Sequence, residues 1–146
     1  MEYIPRYLED TVLEIHRTFK VLYVGGPRQV GKTTMLKHLA AERGLSYVTL
    51  DNLSDQRLAK DDPELFLERY KAPLMIDEIQ YAPNLFPAIK RRIDESDDRG
   101  RYWLTGSQQW NMMKNLKESL AGRVGIVNLL GLSSAEIARR PRTSTP

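Results

Sequence analysis

Apolar residues change their spacing along the chain in a regular way. Leu8, Val12, Ile15 and Phe19 recur at intervals of three and four, which puts them on one face and predicts an amphipathic helix over residues 6–19. Val21-Leu-Tyr-Val24 follows as a short continuous apolar run, the pattern of a parallel strand covered on both faces. Helical spacing returns at Met35, Leu36, Leu39 and Ala40, with Gly44 placed as a C-terminal stop. Ser46-Tyr-Val-Thr-Leu50 predicts a second strand, with Asp51 at its carboxyl end. Asp62-Pro63-Glu64 supplies an N-cap, a proline at the first helical position and an acid in the first turn, opening a short helix through Tyr70. Pro73 to Ile76 starts a third strand, Leu85, Phe86, Ile89 and Ile93 mark a helix, and Arg101 to Thr105 form a fourth strand. Met112, Met113, Leu116 and Leu120 mark a further helix, and Val124 to Leu130 a fifth strand. This alternation predicts an α/β fold: one parallel sheet of about five strands, flanked by helices and joined by right-handed crossovers.

That architecture says where chemistry belongs, because ligands of open parallel sheets bind beyond the carboxyl ends of the strands. Those ends are Gly25 and Gly26, Asp51, Asp77 and Glu78, and Thr105 to Gln108. The first of them opens Gly26-Pro27-Arg28-Gln29-Val30-Gly31-Lys32-Thr33, a full match to the phosphate-loop pattern G-x-x-x-x-G-K-[ST]. In such a loop glycines let successive backbone N–H groups converge on an anion at a helix start, where the dipole also favours negative charge. Lys32 would reach the β and γ phosphates, and Thr33 would offer its hydroxyl to Mg²⁺. An accidental match arises in roughly one chain in two hundred of this length. Strand, glycine loop and helix stand in the required order, which favours the phosphate loop over an ordinary turn.

The third strand ends in two adjacent carboxylates, Asp77 and Glu78, and burying them is costly without compensation. Behind a phosphate loop, Asp77 would hold Mg²⁺ through water and Glu78 would act as general base on the attacking water. The plainer alternative is an acid pair facing solvent or capping the next helix. An acid directly after the strand-end aspartate favours hydrolysis over transfer to a small acceptor. Ser107, and after it Gln108, would touch the γ-phosphate or the water at the end of the fourth strand, although Ser107 equally suits the N-cap of the following helix. Arg123 follows the helix stop Gly122 and belongs at the opposite edge of the sheet. As an arginine finger it would act on a neighbouring subunit; otherwise it is a solvated or salt-bridged arginine.

Composition narrows the setting. A chain of 146 residues suits one domain with a sizeable core. No stretch reaches the apolar length of a membrane span, and MEYIPRYLEDT has neither the basic end nor the apolar centre of a signal peptide, so a cytoplasmic protein is expected. The absence of cysteine excludes disulfides and thiolate metal sites. The net charge of +3 is carried by Arg139, Arg140 and Arg142, and the rest of the chain is neutral. No basic stripe with interleaved aromatics lies outside that tail, which reads as solvated rather than as a nucleic-acid contact. His16 and His38 fall on helices without matched ligands, Trp103 is expected to pack in the fourth strand, Trp110 to pack against the next helix, and Asp51 to serve a turn.

Taken together and in order, GGPRQVGKTT, LMIDEIQYAPNLF, YWLTGSQQ and SLAGRV resemble the bacterial and archaeal AAA-like ATPases, whose core is usually followed by a C-terminal domain of uncharacterised function. The likeness runs from about Tyr3 to about Glu136 and includes KDDPELFLERY. It implies that Gly26, Gly31, Lys32 and Thr33 form the Walker-A loop with Pro27, Arg28, Gln29 and Val30 between them and Thr34 beside them. It further implies that Asp77 and Glu78 are the Walker-B pair, Ser107 with Gln108 the polar sensor, and Arg123 the arginine of the LAGR motif. The implied strand order is 5-1-4-3-2. Residues 1–136 are then the P-loop core, and residues 137–146 a disordered basic tail, with no helical lid.

The resulting expectation is an ATP-binding, Mg²⁺-dependent ATPase core that releases ADP and phosphate, with self-association through Arg123 as one partner relationship. The alternative is a nucleotide-gated module for a protein or nucleic-acid partner with little hydrolysis. A small-molecule kinase stands third, since no acceptor pocket is evident.

Overall fold

The computed structural model describes residues 6–26 and 30–128, with side chains at residues 8–26 and 33–128. A first helix, α1 (Arg6–Thr18), leads into β1 (Val21–Gly25), then α2 (Val30–Glu42), β2 (Ser46–Thr49), α3 (Leu53–Asp61), α4 (Pro63–Arg69), β3 (Leu74–Asp77), α5 (Leu85–Ile93), β4 (Tyr102–Gly106), α6 (Trp110–Ser119) and β5 (Val124–Asn128). A short 3-10 turn at Ile79–Tyr81 follows β3. The strands form one five-stranded sheet in the order β2-β3-β4-β1-β5, and every pairing is parallel. This is the order the family resemblance implies, read from the other side. The strand bearing Asp77 is separated from β1 by β4.

Alternation along the buried strands feeds two cores. Val21 and Tyr23 of β1, Leu74 and Ile76 of β3, and Tyr102 and Leu104 of β4 face Phe66, Leu67, Leu85, Phe86, Ile89 and Leu116 from α4, α5 and α6. Leu22, Val24, Met75 and Trp103 face the opposite way, onto Leu8 and Val12 of α1 and Leu36, Leu39 and Ala40 of α2. Each fully buried Leu or Phe contributes roughly 1.5–3 kcal/mol, so β1 is held rigidly between covers on both faces. Arg92 of α5 pairs with Glu64 and Glu68 of α4, and those bonds hold the Glu68 carboxyl below its ordinary pKa.

Most predicted elements appear within a residue or two of their expected bounds, and Gly44 ends α2 with φ 81°. Asp62 caps α4 as its sequence signature predicts, its side chain accepting from Leu65 N–H at 3.1 Å. Helix α3 was not predicted, because its stretch LSDQRLAKD has little apolar periodicity. Its signal lay in polar residues: Asn52 accepts from Asp55 N–H as N-cap, with Asp55 in the first turn and Lys60 in the last. Residues 129–130 of the predicted fifth strand and the predicted tail at 137–146 lie outside the described residues. Among the described residues, no helix is long and apolar enough to cross a membrane.

Candidate functional site

Strand β1 delivers the chain to the phosphate-loop motif at the carboxyl edge of the sheet. Gly26 N–H donates to Gly106 O of β4 at 3.1 Å, and Gly26 takes φ 152°, a backbone conformation essentially reserved for glycine. Pro27, Arg28 and Gln29 lie outside the described residues. Helix α2 begins at Val30, so Gly31, Lys32 and Thr33 fall in its first turn. Thr33 is half-buried and Thr34 exposed. The motif is thus a strand-to-helix connection, with a helix N-terminus facing the carboxyl edge.

Two strands away, β3 ends at the paired acids. Val24 pairs with Thr105, Ile76 with Leu104, and Thr49 with Asp77; Asp77, Thr105 and Val24 therefore share the sheet face on which α2 packs. Asp77 is only 4% exposed. Its Oδ2 accepts from the Tyr47 hydroxyl at 2.8 Å, and its Oδ1 accepts from the hydroxyl of Thr105. Glu78, 7% exposed, sits in the left-handed region at φ 62°, ψ 49°. Its N–H donates to Thr105 Oγ1 at 3.0 Å, and its Oε1 accepts from Gln80 Nε2 at 2.8 Å. The acid pair is buried and hydrogen-bonded, which removes the alternative of two carboxylates facing solvent. The adjoining helical turn at Ile79–Tyr81 receives no side-chain cap from Glu78.

Ser107 and Gln108 lie at the end of β4, between the other two strand ends. Tyr23 OH donates to Ser107 O at 2.6 Å, while Ser107 Oγ and Gln108 Oε1 are buried with no hydrogen-bond partner among the described residues. The Gln108 side chain lies against Gly25, where a Cβ would come within 2.9 Å of Gln108 Cγ. Helix α6 begins at Trp110 with Gln109 as its flanking residue, so Ser107 is not the N-cap that its sequence position equally suggested. The helix simply starts later. Trp110 is 71% exposed, with Lys114 above its ring, and does not pack inward as expected.

Burial pushes the Tyr23 hydroxyl well above its usual pKa, with the Glu78 charge adding to the effect. Burial and the bond to Asp77 do the same for Tyr47. Both phenols are neutral donors at any ordinary pH. Lys37 of α2 stands 4.3 Å from the centre of the Tyr47 ring, tying α2 to the residue that holds Asp77. Tyr47, Thr105 and Gln80 were not singled out from sequence as site residues. The available signal was a threonine closing an otherwise apolar strand, YWLTG, beside a strand closing in two acids.

Arg123 lies at the opposite edge. Its carbonyl accepts from Val21 N–H at 3.1 Å, at the amino end of β1, where its sequence position put it. The guanidinium pairs with Asp94, Nε to Oδ1 at 2.6 Å and Nη2 to Oδ2 at 3.2 Å, and lines a cleft of about 440 Å³ with Thr18, Lys20 and Arg99. Asp51 is exposed, its N–H donating to Thr49 Oγ1 in a turn. His16 is packed, with Nδ1 accepting from Trp103 Nε1 at 3.0 Å, and His38 is exposed beside Glu42. Among the described residues no three His, Cys, Asp or Glu side chains stand together as a metal cluster.

Comparison with known proteins adds two findings. An uncharacterised protein of Mycobacterium bovis and one of Mycobacterium tuberculosis are each 35% identical over 124 residues, covering 84% of this chain and 27% of theirs. The chain therefore spans about a quarter of the length of these curated relatives. The family model of the AAA domain matches residues 18–138, the stretch that holds the sheet, the phosphate-loop motif and the acid pair, and the chain belongs to this AAA-domain family of nucleotide-binding proteins.

Proposed function

We propose that this domain binds ATP with Mg²⁺ and hydrolyses its β–γ phosphate bond. The observation that carries the reading is the buried Asp77–Glu78 pair at the carboxyl edge, separated from the phosphate-loop strand by β4. A structural acid pair would gain nothing from that position, whereas an enzyme that must hold a cation and activate water beside a phosphate needs it there.

The surroundings fit a magnesium-type cation. Asp77 is oriented by two hydroxyl donors, Thr33 lies in the first turn of α2, and the oxygens of Ser107 and Gln108, unpartnered among the described residues, are buried at the same edge, as polar atoms that face a ligand would be. Thr33 and Asp77 would hold the ion, with phosphate and water oxygens completing its coordination. When bound, it supplies charge neutralisation on the phosphates.

The chain's own groups supply the rest. The backbone N–H groups beyond Pro27, in the loop and at the helix start, cradle the phosphates, with Arg28 and Gln29 beside them in the motif, and Lys32 neutralises the β and γ oxygens. Glu78 takes a proton from water as the water oxygen bonds to the γ-phosphorus. The bond from that phosphorus to the bridging oxygen breaks, leaving ADP and phosphate. Ser107 and Gln108 orient the γ-phosphate or the water, and Arg123 serves a neighbouring copy's site. Residues 1–136 form the unit that does this.

A second reading has its own support. Gln80 already holds the Glu78 carboxylate and Asp94 holds Arg123, which favours slow turnover and suits a nucleotide-gated module for a protein or nucleic-acid partner. Phosphate release measured with fluorescent-ATP binding separates the two: release linked to binding supports hydrolysis, tight binding without release supports gating, and no binding rejects both.

A further inference from the structure

We infer that Thr105 is a positioning residue whose one hydroxyl sets the two acids of the site relative to each other. The inference rests on the nucleotide-hydrolysing role proposed for Asp77 and Glu78, and adds to it what fixes their geometry.

A hydroxyl carries one donor and two acceptor lone pairs, and Thr105 uses both kinds. It donates to Asp77 Oδ1 and accepts from Glu78 N–H at 3.0 Å. The side chain is 1% exposed, so water does not compete for either bond. The need for it follows from the sheet. The backbone ladder between β3 and β4 runs only to Ile76 opposite Leu104, so the chain beyond Asp77 leaves the strand without a partner in β4. The Thr105 hydroxyl takes over from the ladder at that point.

What it holds there is unusual backbone. Glu78 is a non-glycine residue at φ 62°, a conformation that persists only where the surroundings impose it. Its N–H is anchored on the same oxygen that grips Asp77, so the turn aiming Glu78 and the plane of the Asp77 carboxylate are set by one atom. Tyr47 fixes the other carboxylate oxygen from β2 at 2.8 Å, so donors on both sides of β3 prevent Asp77 from rotating. Partners of this kind around metal-holding carboxylates typically change metal affinity or activity by about 10- to 100-fold when removed.

The test compares Thr105→Ser, which keeps both hydrogen bonds, with Thr105→Val, which keeps the shape and loses both. Thr105→Ala is made as well, so that a folded variant without the hydroxyl is in hand. Circular dichroism establishes folding, binding of a fluorescent ATP analogue is titrated without Mg²⁺ and then with increasing Mg²⁺, and phosphate release is measured in a single turnover. The expected result for the variants lacking the hydroxyl is Mg²⁺-free binding like the wild type, a requirement for about 10-fold or more Mg²⁺, and release slowed by a similar factor. Thr105→Ser should recover most of both. Wild-type Mg²⁺ dependence in a folded Thr105→Val or Thr105→Ala overturns the inference. So does a Thr105→Ser as impaired as the valine variant, since packing alone would then be at stake. Failure of the wild type itself to bind the analogue overturns the nucleotide reading, and the role given to Thr105 falls with it.

Discussion

Arg123 and Asp94 form a two-point ion pair at the amino edge of the sheet, Nε to Oδ1 and Nη2 to Oδ2 at 2.6 and 3.2 Å. The pair lies at the end of β1 opposite the phosphate-loop motif, since Arg123 O accepts from Val21 N–H. Their hydrogen bonds, with the mutual charge adding to them, hold the Asp94 carboxyl below and the Arg123 guanidinium above their ordinary pKa values. An arginine held there stands at the edge away from its own loop, so the finger role proposed for it calls for a second copy.

Mixing tests that arrangement. An Arg123→Ala chain retains Lys32 and Glu78, and a Glu78→Gln chain retains Arg123, so the mixture should recover phosphate release that neither shows alone. A finger worth about 10³ in rate makes the recovery easy to see. Arg123→Ala as active as the wild type, at concentrations where copies associate, would leave the residue a simple partner of Asp94.

Tyr47→Phe removes one hydroxyl from Asp77 Oδ2 and leaves the ring under Lys37. A buried acceptor that loses its donor costs roughly 1–3 kcal/mol, so the urea midpoint should fall without a change in slope. An unchanged midpoint would mean that the bond adds nothing to folding.

His16 gives the fold a pH dependence of defined sign. Burial, with help from Arg43 and Arg17, holds its pKa below the ordinary 6.5, and its Nδ1 must stay unprotonated to accept from Trp103. The folded state therefore binds fewer protons than the unfolded one as the pH drops below about 6.5. This contribution is complete above that pH and is lost as the pH falls through the folded-state pKa. Melting temperatures at pH 7.5 and 5 should differ more for the wild type than for His16→Gln. Equal differences would remove His16 as the cause.

Lys32→Ala should weaken nucleotide binding severely, because the motif aims one side-chain cation at the β and γ phosphates. Equilibrium titration with a fluorescent ATP analogue checks this. Equal binding by variant and wild type would reject the phosphate-loop role.

The elements that position the site were legible because they rest on local pattern. Val21 to Val24 read as a buried strand and proved covered on both faces, and the spacing of the phosphate-loop motif needed nothing distant. The contacts around the acids were not legible, because Tyr47, Asp77 and Thr105 meet across β2, β3 and β4. Their meeting depends on strand order and register, which periodicity along one strand does not contain. The order came from the family resemblance. Of the two roles that Ser107 equally suited, the helix cap falls away, because α6 starts only at Trp110 with Gln109 as its flanking residue, a boundary that the serine's position alone does not mark. Helix α3 escaped for a related reason: it is held by its caps and by Leu58 and Ala59, too few apolar positions to show a period.

The most direct measurement is phosphate release by Glu78→Gln beside the wild type, with nucleotide binding measured on the same samples. The amide fills the same space and cannot take the proton from water. Binding should be preserved in the variant and Mg²⁺-dependent in both, while release falls about 10²- to 10⁴-fold. Release by Glu78→Gln at the wild-type rate would contradict the account, leaving the buried acid pair without its catalytic role.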